Sequence, residues 1–105
     1  MSTFNKQPGD VLDYDVDMSA WFADLPGDDI QSVTVTVTSD MEATPALVIG
    51  PVPHPRTVLF GAEPVSFKVW VGGGTNFTDY KVTCLVSTEQ DRVKEVEFFI
   101  KVRDK

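Results

Sequence analysis

Val65-Ser66-Phe67-Lys68-Val69-Trp70-Val71-Gly72-Gly73-Gly74-Thr75-Asn76-Phe77-Thr78-Asp79-Tyr80-Lys81-Val82-Thr83-Cys84-Leu85-Val86 is the stretch that decides the fold. On each side of the glycines, large apolar side chains recur at every second residue, the period of a strand with one buried face. Between the two runs lie three glycines, an asparagine and an aspartate, the residue types that close a tight turn. Tyr80 enters the second run directly after this corner. A tyrosine in that place matches a tyrosine corner, in which the phenol ties back to the backbone of the loop just before it.

Working outward, the same period continues to the end of the chain. Residues 79–88 and 93–103 read as two strands joined by the hairpin loop Glu89-Gln90-Asp91-Arg92. Val96, Phe98, Ile100 and Val102 are predicted to face inward, as are Tyr80, Val82, Cys84 and Val86 on the neighbouring strand. Val65, Phe67, Val69 and Val71 complete that set. Toward the N-terminus, residues 30–38 alternate valine with threonine, a β-branched run that resists helix. In residues 11–18, Leu12, Tyr14, Val16 and Met18 share one face and Asp13, Asp15 and Asp17 the other. Ser19 is placed to cap a short helical turn near residues 19–25, ended by Pro26-Gly27-Asp28-Asp29, with Trp21 and Phe22 split between core and surface. Prolines 45, 51, 53 and 55 confine any strand in the middle of the chain to an edge, at residues 47–49, with a further short one at residues 56–60. About seven strands at this spacing predict an all-β, immunoglobulin-like antiparallel sandwich over residues 11–105, preceded by a flexible arm, residues 1–10.

Composition narrows the function. A chain of 105 residues, 42% hydrophobic, makes one domain with a real core. The single cysteine, Cys84, has no partner for an internal bridge, so the sandwich must hold by packing, which suits folding in a reducing cytoplasm. No apolar leader and no run long enough to span a bilayer is present. The net charge of −7 is concentrated at the front, where residues 1–29 hold seven aspartates against one lysine. Such a surface repels phosphate backbones, so nucleic acid is not an expected partner.

Catalysis finds no foothold. His54 is the only histidine and sits between two prolines in a loop, where a solvated role is expected. Cys84 reads as a core filler with no cation beside it in sequence. Asp13, Asp15 and Asp17, spaced roughly 6–7 Å along one strand face, could offer oxygen ligands to calcium. No calcium-loop glycine pattern accompanies them, and a solvated acidic edge that discourages aggregation is the simpler reading, so no metal or cofactor is expected. The outward register leaves Trp70, Phe99 and Leu85 as candidates for one docking patch, with Phe77 at the corner and the three aspartates as further interface candidates. Tyr80, Trp21 and Cys84 are assigned structural roles. The proline-rich residues 45–55 make either a stiff contact loop or a plain crossing between sheets.

Several stretches together carry a family resemblance. They are Lys6-Gln7-Pro8, Asp10-Val11-Leu12-Asp13-Tyr14-Asp15-Val16-Asp17, Ser19-x-Trp21-Phe22, Gly27-Asp28-Asp29-Ile30, Ser32-Val33-Thr34, Trp70-x-x-Gly73-Gly74-Thr75, Tyr80-Lys81-Val82-Thr83-Cys84 and Arg92-Val93-x-Glu95. In this order the chain resembles the small phage fiber-tail adaptor proteins and related immunoglobulin-like modules of tailed-phage structural genes, over nearly its whole length. It departs from their pattern in the proline-rich middle and at Asn76-Phe77-Thr78-Asp79, which stands in place of a more usual Asp-Gly corner. The resemblance implies a non-enzymatic virion protein, made in the bacterial host cytoplasm and joining the tail to a fiber or a neighbouring tail protein in several copies. A free-standing module for a protein or carbohydrate ligand is the alternative.

Overall fold

The computed structural model describes residues 2–104. Eight strands and one short helix occur among the described residues: β1 (Ser2–Lys6), β2 (Leu12–Asp17), α1 (Ser19–Phe22), β3 (Ile30–Thr38), β4 (Leu47–Ile49), β5 (Thr57–Leu59), β6 (Ser66–Gly73), β7 (Thr78–Thr88) and β8 (Val93–Val102). They form two sheets facing each other as a sandwich, one ordered β1-β8-β7-β3 and the other β2-β6-β4, with β5 also paired to β6. The all-β sandwich read from the sequence is thus the fold. The bounds of β3 and β4 are those expected from β-branched alternation and from the flanking prolines.

Three expectations are corrected. The strands number eight rather than about seven, because residues inside the supposed flexible arm form β1. This strand runs parallel to β8, with Ser2 opposite Phe98 and Lys6 opposite Val102, so the sheets are not wholly antiparallel. Two side chains hold it down. The Phe4 ring lies 4.9 Å from that of Tyr14 and 5.8 Å from that of Phe98, closing the side of the sandwich between β1 and β2. Lys6 is buried, and its ammonium donates to the carbonyls of Gln7 and Gly73, bridging the first sheet to the end of β6. Burial holds its pKa below the usual lysine value, against the opposing pull of Asp10. Third, the helical turn is a single turn, and Ser19 does not cap it: Asp17 Oδ1 accepts the Ser19 N–H at 2.9 Å.

The core lies between the sheets where alternation places it. Phe67, Val69, Val71, Tyr80, Val82, Cys84, Val86, Ile100 and Val102 are fully buried, with Phe98 and Val35 nearly so. Val96, within β8, and Val65, just before β6, are only half-buried, and Leu12, the first residue of β2, is exposed. Phe22 is buried, and Trp21 packs edge-on against it with ring centres 4.8 Å apart.

At the α1 end, the turn before β3 is fastened to the β7–β8 hairpin by one carboxylate. Asp28, whose side chain is wholly buried, pairs with Arg92 Nη1 at 2.8 Å and accepts the N–H groups of Asp29 at 3.0 Å and Gln90 at 3.1 Å. Both carboxylate oxygens are thereby engaged by donors from the turn and from the hairpin, which is what lets a charge remain buried.

Candidate interaction surfaces

The opposite end of the sandwich is organised around the Gly72–Tyr80 corner. Gly74 has φ +103°, and a Cβ there would stand 2.7 Å from Val102 Cγ2. At Gly73, φ +68°, a Cβ would stand 2.8 Å from the Ala46 carbonyl. These glycines let the chain turn hard against the core, leaving Tyr80 fully buried just beyond. The Thr75 N–H donates to Tyr80 Oη at 2.9 Å, the backbone tie expected of a tyrosine corner. The phenol then donates to Glu42 Oε1, while Thr75 Oγ1 donates to Glu42 Oε2 at 2.6 Å and the Ala46 N–H to Oε1 at 3.0 Å. Donation by Thr75, Tyr80 and Ala46, in that order of weight, holds the Glu42 carboxyl below its ordinary pKa. Sequence reasoning missed Glu42, because its side-chain partners Thr75 and Tyr80 lie more than thirty positions away.

Phe77 sits at the tip of this corner. It is 69% exposed and has φ +65°, in the left-handed region that bulky side chains rarely occupy. Met41, next to Glu42 on the facing loop, is 72% exposed.

Trp70, Phe99 and Leu85 do not come together. Trp70 lies on β6 in the second sheet, whereas Leu85 on β7 and Phe99 on β8 belong to the first, so their outward faces are on opposite sides of the sandwich. Outward register identifies a face but not a sheet, which is why one patch seemed available. Leu85 stands opposite Glu95 and Thr34, 42% exposed, with Val93 diagonal to it on the same face, and Phe99 is half-buried.

Nor is Trp70 bare. The proline-rich residues 50–56 are fastened to its backbone from one side, Gly50 N–H to the Trp70 carbonyl at 2.9 Å and Trp70 N–H to the Arg56 carbonyl at 3.2 Å. This lays the His54 ring on the indole, 3.7 Å between centres and 7° between planes. His54 is therefore a lid on Trp70 rather than a solvated loop residue. Arg56 Nη2 reaches the Val35 carbonyl on β3 at 2.6 Å, so the loop also ties the two sheets together.

The three aspartates line the outer face of β2 beside Trp70, Lys68 and Ser66. Asp13 is held by Lys68 Nζ at 2.7 Å, which lowers its pKa, and Asp17 is lowered by the Ser19 N–H it accepts. Lys68 in turn stands 5.7 Å from the centre of the Phe60 ring and 5.9 Å from that of Trp70. Among the described residues, no three histidine, cysteine or carboxylate side chains converge as a metal-binding group.

Cys84 is fully buried, and burial pushes its thiol up to about 11. A thiol so protonated and enclosed should fail to react with Ellman's reagent in the native state and react with one equivalent in 6 M guanidinium. Rapid native labelling would contradict its role as a core filler.

Among the described residues, no helix is long and apolar enough to cross a membrane. The surface offers an exposed aromatic on a braced corner, a lidded tryptophan beside an acidic edge, and a partly exposed leucine, all carried on an all-β sandwich. The family model for the podophage GP4 fiber-tail adaptor protein gp77 matches residues 6–101, and the chain belongs to that family of structural phage adaptors. No curated protein matches the chain.

Proposed function

We propose that this protein is a non-enzymatic component of a podophage tail, joining the tail to a fiber or to a neighbouring tail protein. The observation that carries this reading is the family match over residues 6–101, nearly the whole sandwich. The architecture supports it: a packed core held without disulfides, and loops braced by Asp28 at one end and Glu42 at the other, make a stiff spacer with two distinct ends. Tails are symmetric, so the adaptor is used in several copies. Modest contacts repeated around the axis then gain strength through avidity. Synthesis in the host cytoplasm accords with the lone buried thiol.

Peptide mass spectrometry on density-purified particles, calibrated against the major tail protein, tests the proposal. The protein should be present at a small multiple of the tail's symmetry. Absence from clean particles would overturn it and favour a free-standing module for a protein or carbohydrate ligand.

A further inference from the structure

We infer that Phe77 is the anchor by which the adaptor docks, its ring entering an apolar socket on a different protein of the assembly. This inference rests on the adaptor reading. Phe77 combines two local disadvantages: a large apolar ring left 69% exposed, and a backbone φ of +65°. Glycine or asparagine would satisfy that backbone more easily and leave no ring in water. Strain of this kind persists where surrounding structure imposes it and is concentrated at functional contacts.

The surroundings do impose it. The Phe77 N–H donates to the Val102 carbonyl at 2.8 Å, the Thr78 N–H to the Thr75 carbonyl at 3.2 Å, and the Asp104 N–H to Asn76 Oδ1 at 2.8 Å. Glu42 fixes Thr75 from the facing loop. The ring is therefore presented on a pre-organised tip, which reduces the entropy lost on docking. Met41, adjacent to Glu42, provides a second, more adaptable apolar contact at the same end.

The socket belongs to another protein rather than to a second copy. Of two clefts among the described residues, one is polar and charged, lined by Asn5, Lys6, Gln7, Asp10 and Arg103; the other, lined by Asp40, Asp79, Tyr80, Lys81 and Phe99 among others, lies beside the corner itself, so a second copy could offer it only by bringing two like corners together. Asp79 is paired with Arg103 at 2.7 Å, which leaves Asp40 and Glu42 as the acids beside the corner, and two such ends would also meet with like charge. The socket that fits is apolar with a basic rim. Trp70, lidded by His54, and Leu85, on the flat outer face of the first sheet and only 42% exposed, lack this combination of exposure and rigid presentation.

Phe77→Gly removes the ring and relieves the backbone together, so fold and function should respond in opposite directions. The full-length variant is expected to melt at or above the wild-type temperature. In particles assembled in competition with the wild type, its copy number should fall roughly tenfold or more, while Phe77→Tyr is retained. Wild-type occupancy by Phe77→Gly would overturn the inference and leave the adaptor reading standing. So would a loss of occupancy accompanied by a lowered Tm, or the dissociation by Phe77→Gly of a wild-type homo-oligomer. Absence of the wild type from particles would overturn the adaptor reading and this inference with it.

Discussion

Tyr80→Ala is expected to lower the free energy of unfolding by about 3–5 kcal/mol, as for other large buried aromatics. Against a total stability of roughly 5–15 kcal/mol for a domain of this kind, that is between about a fifth and the whole of it. Two effects combine. The fully buried ring fills the space beside Gly74, between the β4 and β8 contributions to the core, and its loss leaves a cavity the glycine corner cannot collapse into without straining. The phenol is also the central link between the Thr75 N–H and Glu42, and its removal leaves both with one partner fewer. Tyr80→Phe separates these effects by keeping the ring. It should cost about 1–2 kcal/mol, read as a shift in urea midpoint with unchanged slope. A Phe variant as stable as wild type would show that the link to Glu42 contributes nothing.

Asp28→Ala should be nearly as damaging, with Tm falling by roughly 10 °C or more, because Arg92 and the N–H groups of Asp29 and Gln90 would lose their common acceptor. Burial by itself would raise the pKa of Asp28. Donation by Arg92, Thr88, Gln90 and Asp29 outweighs this and holds it below the ordinary 3.8. Since the folded pKa is depressed, the stabilisation is fully present above about 3.8 and is lost as the pH falls through the lower folded value. The Tm gap between the wild type and Asp28→Asn should therefore be wide at pH 7 and narrow progressively below pH 4. Asp13, Asp17 and Glu42 are shifted the same way, so the wild type itself should weaken over the same acid range. A gap of constant width from pH 7 to pH 2 would show that the Asp28 charge is not what fastens the hairpin.

Local periodicity explains what could be read in advance. β3 and β4 were legible to their bounds because valine alternation and flanking prolines act within a few residues. The inward faces of β7 and β8 followed from the same rule. β1 was not legible: Ser2-Thr3-Phe4-Asn5-Lys6 carries one apolar residue, and its partner is more than ninety positions away. Glu42 and His54 escaped for a related reason, since each acts on a side chain brought near only by sheet packing. For the surface candidates, alternation told which side chains pointed outward. The assignment of Trp70 to one sheet and of Leu85 and Phe99 to the other needed the strand order. At the corner, composition announced the turn and Tyr80, whereas the left-handed backbone of Phe77 became visible only in the folded chain.

The pairing of β1 with β8 also governs the order of events in synthesis. β1 can find its partner only when β8 has emerged from the ribosome, and β8 must then zip to β7 on one side and β1 on the other. So much non-local pairing places folding in the slow, millisecond-to-second class rather than among local-contact folds. A nascent chain halted short of residue 93 has neither a seat for β1 nor a partner for the outer edge of β7. Only a polypeptide translated through β8 can close the first sheet, so this half of the sandwich waits on the latest of the described strands.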